Sequence, residues 1–301
     1  MSIRGTILML VVCGLWAAGA AAQELSPRAY WPAPKGTRVA VFGYMYSTGD
    51  VVMDPSIPIT DGDSRMNTAF AAYLQTFSLW GRTANFLIEQ PYSWGTTEGL
   101  VFGEPAKRDS SGFNDLAFTL GINLLGAPSM TLEEFQELRE NPHPILGATL
   151  KVVAPTGQYY DDRLVNVGAN RWAFKPELGY MIPLEPSLIL EFEAGAWFFD
   201  DDDDFLPGQR EQDPIYAGEV HLIKRLKPGF WASLEYNFWE GGRQTIGGNK
   251  LDDVQRNSRL GGTLVVPIQP RQAIKFGYST SVRHEFGGDY DQYLVTYTMV
   301  F

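Results

Sequence analysis

Apolar and polar residues alternate with a period of two along much of the chain, and the stretch from Tyr293 to Phe301 shows this most clearly. Its odd positions are apolar or aromatic, whereas its even positions include Thr296 and Thr298. Successive side chains of a β-strand point to opposite faces, so the pattern predicts a strand with one apolar and one polar face. Segments 188–194 and 230–238 alternate in the same way.

The alternation predicts about twelve strands, an even number as in single-chain outer-membrane barrels. Tight turns with Gly or Pro follow even-numbered strands, and long loops rich in Asp, Gly and Ser follow odd-numbered ones. Barrels have short periplasmic turns and longer external loops, so we predict an all-β, antiparallel transmembrane β-barrel. The predicted strands are 37–47, 66–79, 83–94, 112–124, 145–155, 171–182, 187–199, 215–226, 229–240, 256–267, 271–284 and 290–301, and the long loops are 48–65, 95–111, 156–170, 200–214, 241–255 and 285–289.

One connection, residues 126–144, breaks this rule of loop lengths. It contains Thr131-Leu-Glu-Glu134, which predicts a capping box at the start of a short helix through Leu138. The helix is expected to stop before Asn141-Pro142. This short helical insert would lie on the periplasmic side, either as a cap on the barrel rim or as a plug or partner-docking element.

The N-terminal residues predict export. Arg4 precedes an apolar run from Ile7 to Trp16 and a small-residue stretch that ends at Ala22. This order indicates a secretory signal peptide over residues 1–22, as in a Gram-negative cell, with the barrel over residues 23–301. The single cysteine, Cys13, lies in the segment expected to be removed, which excludes disulfide and thiolate chemistry from the mature chain.

Charge and motifs narrow the function classes further. The net charge of −11 argues against nucleic acid as a partner. His143, His221 and His284 lie in no recognised catalytic motif, so we predict no enzyme, no catalytic residue, no cofactor and no metal site. The acidic run 200–204 lacks the ligand spacing of an EF-hand loop. It is either a solvated loop or a site for divalent-cation bridging to lipopolysaccharide or for attracting cationic solutes.

Charged residues within the strands are expected to point into the barrel, because a Lys or Arg facing lipid at mid-depth costs about 2 to 4 kcal/mol. Two interpretations stay open: a charged pore wall that selects polar solutes, or a cross-strand ion network that fills a narrow barrel. The predicted lumen-lining residues are Asp115, Lys151, Lys175, Glu177, Glu191, Glu193, Glu219, His221, Glu235, Arg259 and Lys275.

Several short motifs are spread over most of the expected mature chain. They are Pro27-Arg-Ala-Tyr30, Ala33-Pro-Lys-Gly36, Phe77-Ser-Leu-Trp-Gly81-Arg82, Gly112-Phe-Asn-Asp115, Asn123-Leu-Leu-Gly-Ala-Pro128, Pro155-Thr-Gly-Gln-Tyr-Tyr160-Asp-Asp-Arg163 and Gly168-Ala-Asn-Arg-Trp172-Ala-Phe-Lys-Pro176-Glu177. Together they resemble the outer-membrane transporter family associated with the meta-cleavage pathway of phenol degradation. The resemblance implies an exported barrel, linked by context to uptake of aromatic or other hydrophobic compounds, and it supplies no catalytic residues.

The sequence therefore predicts a porin-like outer-membrane channel or transporter for passive passage of small solutes, including aromatic or hydrophobic ones. The alternatives are a closed structural or adhesion barrel that acts through its acidic external loops, and a soluble secreted β-sandwich. Expected partners are outer-membrane lipid, lipopolysaccharide and a small-molecule solute. The barrel assembly machinery is a further expected partner, because a terminal aromatic such as Phe301 resembles the signal that it reads.

Overall fold

Most of the chain is β-strand in the computed structural model, which describes residues 27–50, 59–101, 104–163, 166–205 and 208–301. The predicted signal peptide, residues 1–22, lies outside these ranges. No helix among the described residues is long and apolar enough to cross a membrane. The elements are β1 Arg38–Asp50, β2 Ile59–Leu79, β3 Arg82–Val101, β4 Glu104–Phe113, β5 Leu116–Leu125, α1 Leu132–Glu140, β6 Ile145–Ala154, β7 Ala173–Glu185, β8 Leu188–Phe199, β9 Arg210–Gln212, β10 Ile215–Lys227, β11 Phe230–Gly241, β12 Gln244–Ile246, β13 Asn249–Lys250, β14 Gln255–Gln269, β15 Gln272–Arg283 and β16 Asp289–Val300.

The large sheet closes on itself, and all of its pairings are antiparallel. Each long strand pairs with the next along the chain, and β1 pairs with β16 to complete the ring. Strands β4 and β5 both pair with β3, one after the other, so they form a single wall strand interrupted at Asn114 and Asp115. Counted this way the barrel has twelve wall strands, which confirms the predicted fold.

The two faces of the wall differ as the alternation predicts. In β16, Leu294, Thr296, Thr298 and Val300 are buried, and the odd-numbered residues between them point outward. An outward side chain has no protein above it and is exposed, so burial marks the interior face along most of each wall strand, with exceptions such as Gly218 and the register shift at Ser258. The exposed face carries an apolar belt that includes Phe42, Tyr44, Phe174, Leu178, Tyr180, Phe192, Leu234, Tyr236, Phe276, Tyr278 and Tyr293.

An exposed belt of this kind is what a membrane protein presents to lipid. Soluble monomers rarely expose contiguous apolar patches of more than a few hundred Å². In a soluble β-sandwich these side chains would be buried between two sheets, so that alternative is wrong. Trp172 is likewise exposed, as the residues of an aromatic girdle are, and stacks on Phe174 with ring centroids 6.4 Å apart.

Tight turns connect the strands at one end of the barrel. Between β2 and β3 the pair Leu79 and Arg82 leaves only Trp80 and Gly81 in the turn, with φ of 51° and 74°. Positive φ at both central residues is the type I′ geometry that matches the right-handed twist of a hairpin. We refer to this end as the tight-turn end, which is periplasmic in barrels of this type, and to the other as the long-loop end.

The long-loop end contains more strand than predicted. Segments 48–65 and 95–111 were expected to be loops, yet β2 begins at Ile59, β3 continues to Val101 and β4 begins at Glu104. Polar cross-strand pairs stabilise this hairpin: Thr96 Oγ1 donates to Asp109 at 2.5 Å, and Lys107 Nζ lies 2.5 Å from Glu98 Oε1. Such pairs suit strands that stand in water beyond the membrane. The short strands β9, β12 and β13 form a second small sheet within the expected loops 200–214 and 241–255.

The helical insert forms where it is predicted. Helix α1 has Thr131 as its N-cap, and both hydrogen bonds of the capping box with Glu134 are present. Asn141 ends the helix immediately before Pro142, as expected. Local sequence therefore determines this element, although not its place in the barrel.

Candidate functional site

Charged side chains are concentrated inside the barrel. All eleven predicted lumen-lining residues are buried, with exposed fractions of 0 to 9 %. A side chain that lined an open, water-filled pore would be exposed to solvent. The interior is therefore closed around these groups in this conformation. Their role as the lining of a solute path stays a prediction.

Buried ion pairs connect one side of the wall. Lys151 on β6 and Lys175 on β7 are direct cross-strand neighbours of like charge, but each has a carboxylate partner. Lys151 Nζ lies 3.8 Å from Glu89 Oε2, and Lys175 Nζ lies 2.6 Å from Glu177 Oε2 and 3.5 Å from Glu219 Oε1. Buried charges are tolerated only when a group of opposite charge lies nearby. These ion pairs therefore allow the wall to carry charged side chains that are shielded from water.

Glu89 belongs to this network although sequence reasoning missed it. It is 1 % exposed, on β3. The signal was available, because Glu89 is a charged residue within the predicted strand 83–94 and the rule that charged strand residues point inward applies to it.

The opposite side of the wall is held by mixed polar contacts. Ser233 donates to Glu235 at 2.6 Å. Arg259 Nη2 donates to Ser279 Oγ at 2.9 Å, and its guanidinium lies 4.2 Å from the centroid of the Tyr290 ring. Lys275 is 2 % exposed on the neighbouring strand β15. Glu191, Glu193, Glu219 and His221 occupy the adjacent wall formed by β8 and β10.

A segment outside the sheet, residues 27–37, enters this charged interior. The backbone N–H of Arg28 donates to Glu191 Oε2 at 2.6 Å, and that of Tyr30 donates to Glu191 Oε1 at 3.3 Å. The Tyr30 hydroxyl donates to Glu177 Oε1 at 3.0 Å, and Asn123 Nδ2 donates to the Tyr30 carbonyl at 3.2 Å. We call residues 27–37 the N-terminal plug. Its position was not foreseen from the sequence, because its motif carries no strand or helix pattern.

Two glycines make room for the Tyr30 ring. Gly147 on β6 and Gly179 on β7 are directly opposite one another in the register. A Cβ atom added at Gly147 would lie 2.2 Å from a Tyr30 ring carbon, and one added at Gly179 would lie 1.9 Å from another. Both distances are far below van der Waals contact, so the ring lies flat against bare backbone.

The tight-turn end is closed by apolar packing. Trp31 of the plug and Phe135 and Leu138 of α1 belong to one buried cluster with inward residues of seven neighbouring strands, which extends across the mouth. Helix α1 therefore packs against Trp31 at this mouth, and its role as a rim cap or as a plug stays a prediction. The arginine guanidinium of Arg28 lies 5.2 Å and 5.1 Å from the rings of Trp31 and Trp231. The strand residues in the cluster are Ile145, Met181, Ile189, Ile223, Trp231, Val265 and Ala273.

At the long-loop end, Asp115 ties two loop segments to the wall. One carboxylate oxygen accepts from the Gly157 N–H at 2.8 Å and the other from the Ala169 N–H at 2.7 Å. Asp115 thus lies at the rim and satisfies backbone donors of the loop between β6 and β7. The motifs around Gly112, Pro155 and Gly168 meet at this point, so their contacts here are structural.

The acidic run 200–204 is only partly solvated. Asp200, Asp201, Asp203 and Asp204 are exposed, but Asp202 is fully buried. It accepts from Asn170 Nδ2 at 2.8 Å and lies 3.3 Å from Arg210 Nη2, so it fastens the loop. Burial raises the pKa of the Asp202 carboxyl, and the hydrogen bonds from Asn170 and Tyr159 oppose that rise. The interpretation of a wholly solvated acidic loop is therefore wrong for this one residue.

Known proteins share this fold. A family model described as "Putative MetA-pathway of phenol degradation" matches residues 36–291. An outer membrane channel from Pseudomonas putida F1 is 22% identical, with a TM-score of 0.75 over 92% of this chain and 100% of that chain. The NanC porin is 7% identical, with a TM-score of 0.50 over 87% of this chain and 98% of that one. No curated protein matches the sequence. The fold and the apolar belt place the chain in the outer membrane.

Proposed function

The chain belongs to the family described as "Putative MetA-pathway of phenol degradation", and on that basis we propose that it is a gated outer-membrane channel for small solutes. The observation that carries the proposal is the N-terminal plug, which occupies a charged barrel interior without being part of the wall. A channel needs such a removable element if its resting state is closed. The proposed activity is passive transport and not catalysis.

The contacts of the plug support gating. It is held by hydrogen bonds from its backbone and side chains and by aromatic packing, and Lys35 N donates to the Met130 carbonyl at 2.9 Å as its link to the helical insert. Backbone hydrogen bonds between neighbouring strands hold the wall together, and the plug is not one of these strands. The plug can therefore leave while the barrel stays folded.

The proposed solutes are small and include aromatic or hydrophobic compounds. The family description refers to phenol degradation, and the structurally similar protein from Pseudomonas putida F1 is named an outer membrane channel. Inside this chain, Trp231 on β11 is part of the wall at the mouth and stays next to the charged side chains when the plug leaves. A phenol or an aromatic acid would stack its ring on the tryptophan and place its polar group next to the charged side chains.

Export and assembly form the rest of the proposal. We infer that residues 1–22 direct secretion and that the barrel assembly machinery reads Phe301, which is 51% exposed on the outer face. The apolar belt would contact outer-membrane lipid. The exposed aspartates of the run 200–204 would contact lipopolysaccharide through divalent cations.

Reconstitution tests the channel. The full mature chain is placed in liposomes and in planar bilayers, and swelling in arabinose or benzoate and ion conductance are measured. Because Arg28 and Tyr30 hold the plug, the double variant Arg28→Ala/Tyr30→Ala should conduct much more than the wild type. Lys35→Ala is the matched control, since that side chain is exposed in the same segment and should leave conductance unchanged.

A closed structural or adhesion barrel is the second candidate. The nearly complete burial of the interior ion pairs favours it. If neither the wild type nor the plug variant admits ions, arabinose or benzoate, while both remain folded, the channel proposal fails and this candidate stands.

A further inference from the structure

Three potential metal ligands meet on the wall formed by β8 and β10. Glu193 lies on β8, and Glu219 and His221 lie on β10 with one residue between them, so all three side chains point inward. Glu219 is the direct cross-strand partner of Glu193. The three residues are 4 %, 2 % and 0 % exposed. They come from two strands, so no sequence spacing revealed them and none was predicted as a metal site.

The distances among these groups suit a small cation. His221 Nε2 lies 3.4 Å from Glu219 Oε2 and 3.8 Å from Glu193 Oε1. One ligand atom from each residue lies within 4.8 Å of the other two. Ligands bound tetrahedrally at about 2.0 to 2.1 Å from Zn²⁺ are about 3.4 Å apart. Shifts of a few tenths of an ångström in the side chains would therefore complete the geometry.

The electrostatics of the wall also call for a cation at this point. Two buried carboxylates directly opposite one another repel, and like charges in that position destabilise a sheet. Lys175 contacts Glu177 Oε2 at 2.6 Å and Glu219 Oε1 at 3.5 Å and also interacts electrostatically with Glu193, so its single positive charge is shared among three carboxylates. Glu191 is engaged elsewhere, since it accepts the backbone N–H groups of the plug.

The candidate ligand atoms have few other contacts. Within the described part of the chain, no hydrogen bond of standard geometry satisfies the carboxylate oxygens of Glu193 and Glu219 or the ring nitrogens of His221, although Lys175 Nζ lies 3.5 Å from Glu219 Oε1. Buried polar atoms are hydrogen-bonded in the great majority of cases, so a group of facing atoms without hydrogen bonds calls for an explanation, and a bound ion is one that fits these atoms.

We propose that Glu193, Glu219 and His221 bind one divalent transition-metal ion of the zinc class. The imidazole nitrogen favours such a metal over Ca²⁺ or Mg²⁺, which prefer oxygen ligands alone. The ion neutralises the facing carboxylates and links β8 to β10 beneath the N-terminal plug. Three protein ligands leave one coordination position for water.

Metal binding is measured on the full chain purified from outer membranes in detergent and freed of metal with a chelator. Zn²⁺ is titrated and counted by mass spectrometry after dialysis, and Co²⁺ serves as a visible-absorption probe. The wild type should hold one ion per chain. Glu193→Gln and His221→Gln should weaken binding by about a hundredfold or more, because even outer-shell partners change affinity by 10- to 100-fold. His143→Gln is the matched control, since His143 is exposed and should not affect binding.

Folding of each variant is checked by its heat-dependent shift on electrophoresis. Should the ligand variants fail to fold, X-ray absorption of the zinc-loaded wild type decides by itself, with one imidazole and carboxylate oxygens expected around the ion. The proposal is overturned by a wild type that retains no ion, by equal binding in all three variants, or by a coordination shell that lacks imidazole.

Discussion

Substituting Gly179 with valine should release the N-terminal plug. A Cβ atom at this position would lie 1.9 Å from a carbon of the Tyr30 ring, and no rotation of a valine side chain moves its Cβ. The backbone at Gly179 has no positive φ, so valine fits the strand itself. The wall should therefore stay intact while the Tyr30 ring is expelled.

The free-energy change follows from what Tyr30 loses. The side chain is 2 % exposed, and burying a large apolar side chain contributes about 1.5 to 3 kcal/mol. Its hydrogen bond to the Glu177 carboxylate contributes about 1.5 to 3 kcal/mol more. Losing both shifts the equilibrium toward the released plug by about 3 to 6 kcal/mol, which is about 10² to 10⁴ in population at 1.4 kcal/mol per tenfold change.

Two assays report the release. Conductance in planar bilayers should rise, and trypsin should cut after Arg28, which is 4 % exposed while the plug is docked. Gly262→Val is the matched control, because a Cβ there meets only the Ser233 carbonyl oxygen at 3.5 Å. If Gly179→Val conducts like the wild type and Arg28 stays protected, Tyr30 does not hold the plug and the gating argument is refuted.

Further predictions concern the two ends of the barrel. Thr131→Ala removes the capping box of α1 and should destabilise that helix by about 0.5 to 2 kcal/mol, seen as faster hydrogen exchange in residues 132–140 with the wall unchanged. Asp115→Ala leaves the Gly157 and Ala169 N–H groups without their acceptor, so the loop between β6 and β7 should become protease-sensitive while the electrophoretic shift of the barrel persists. Deleting Phe301 should lower the amount of folded barrel in outer membranes but not its refolding in detergent; equal loss in both would point to stability instead of recognition.

Much of the fold follows from local rules that the sequence contains. Side chains in a strand alternate between two faces, so the parity of Glu191, Glu235 and Lys275 was enough to assign each to the polar face of its strand. Helix α1 was predictable because a capping box needs only the residues of one turn. Closure into twelve wall strands was predictable from the one-sided distribution of loop lengths.

Only the tertiary structure decided which of these groups meet. The pairing of Lys175 with Glu219, and the approach of Glu193 to His221, depend on the register between strands that are separate in the sequence. The N-terminal plug is the larger example, because residues 27–37 have no pattern of their own and are ordered by Gly147, Gly179 and Glu191 far along the chain. The period-two pattern assigns a residue to one face of its strand. Which residues touch across the barrel depends on the register between strands and on the space that glycines such as Gly179 leave free.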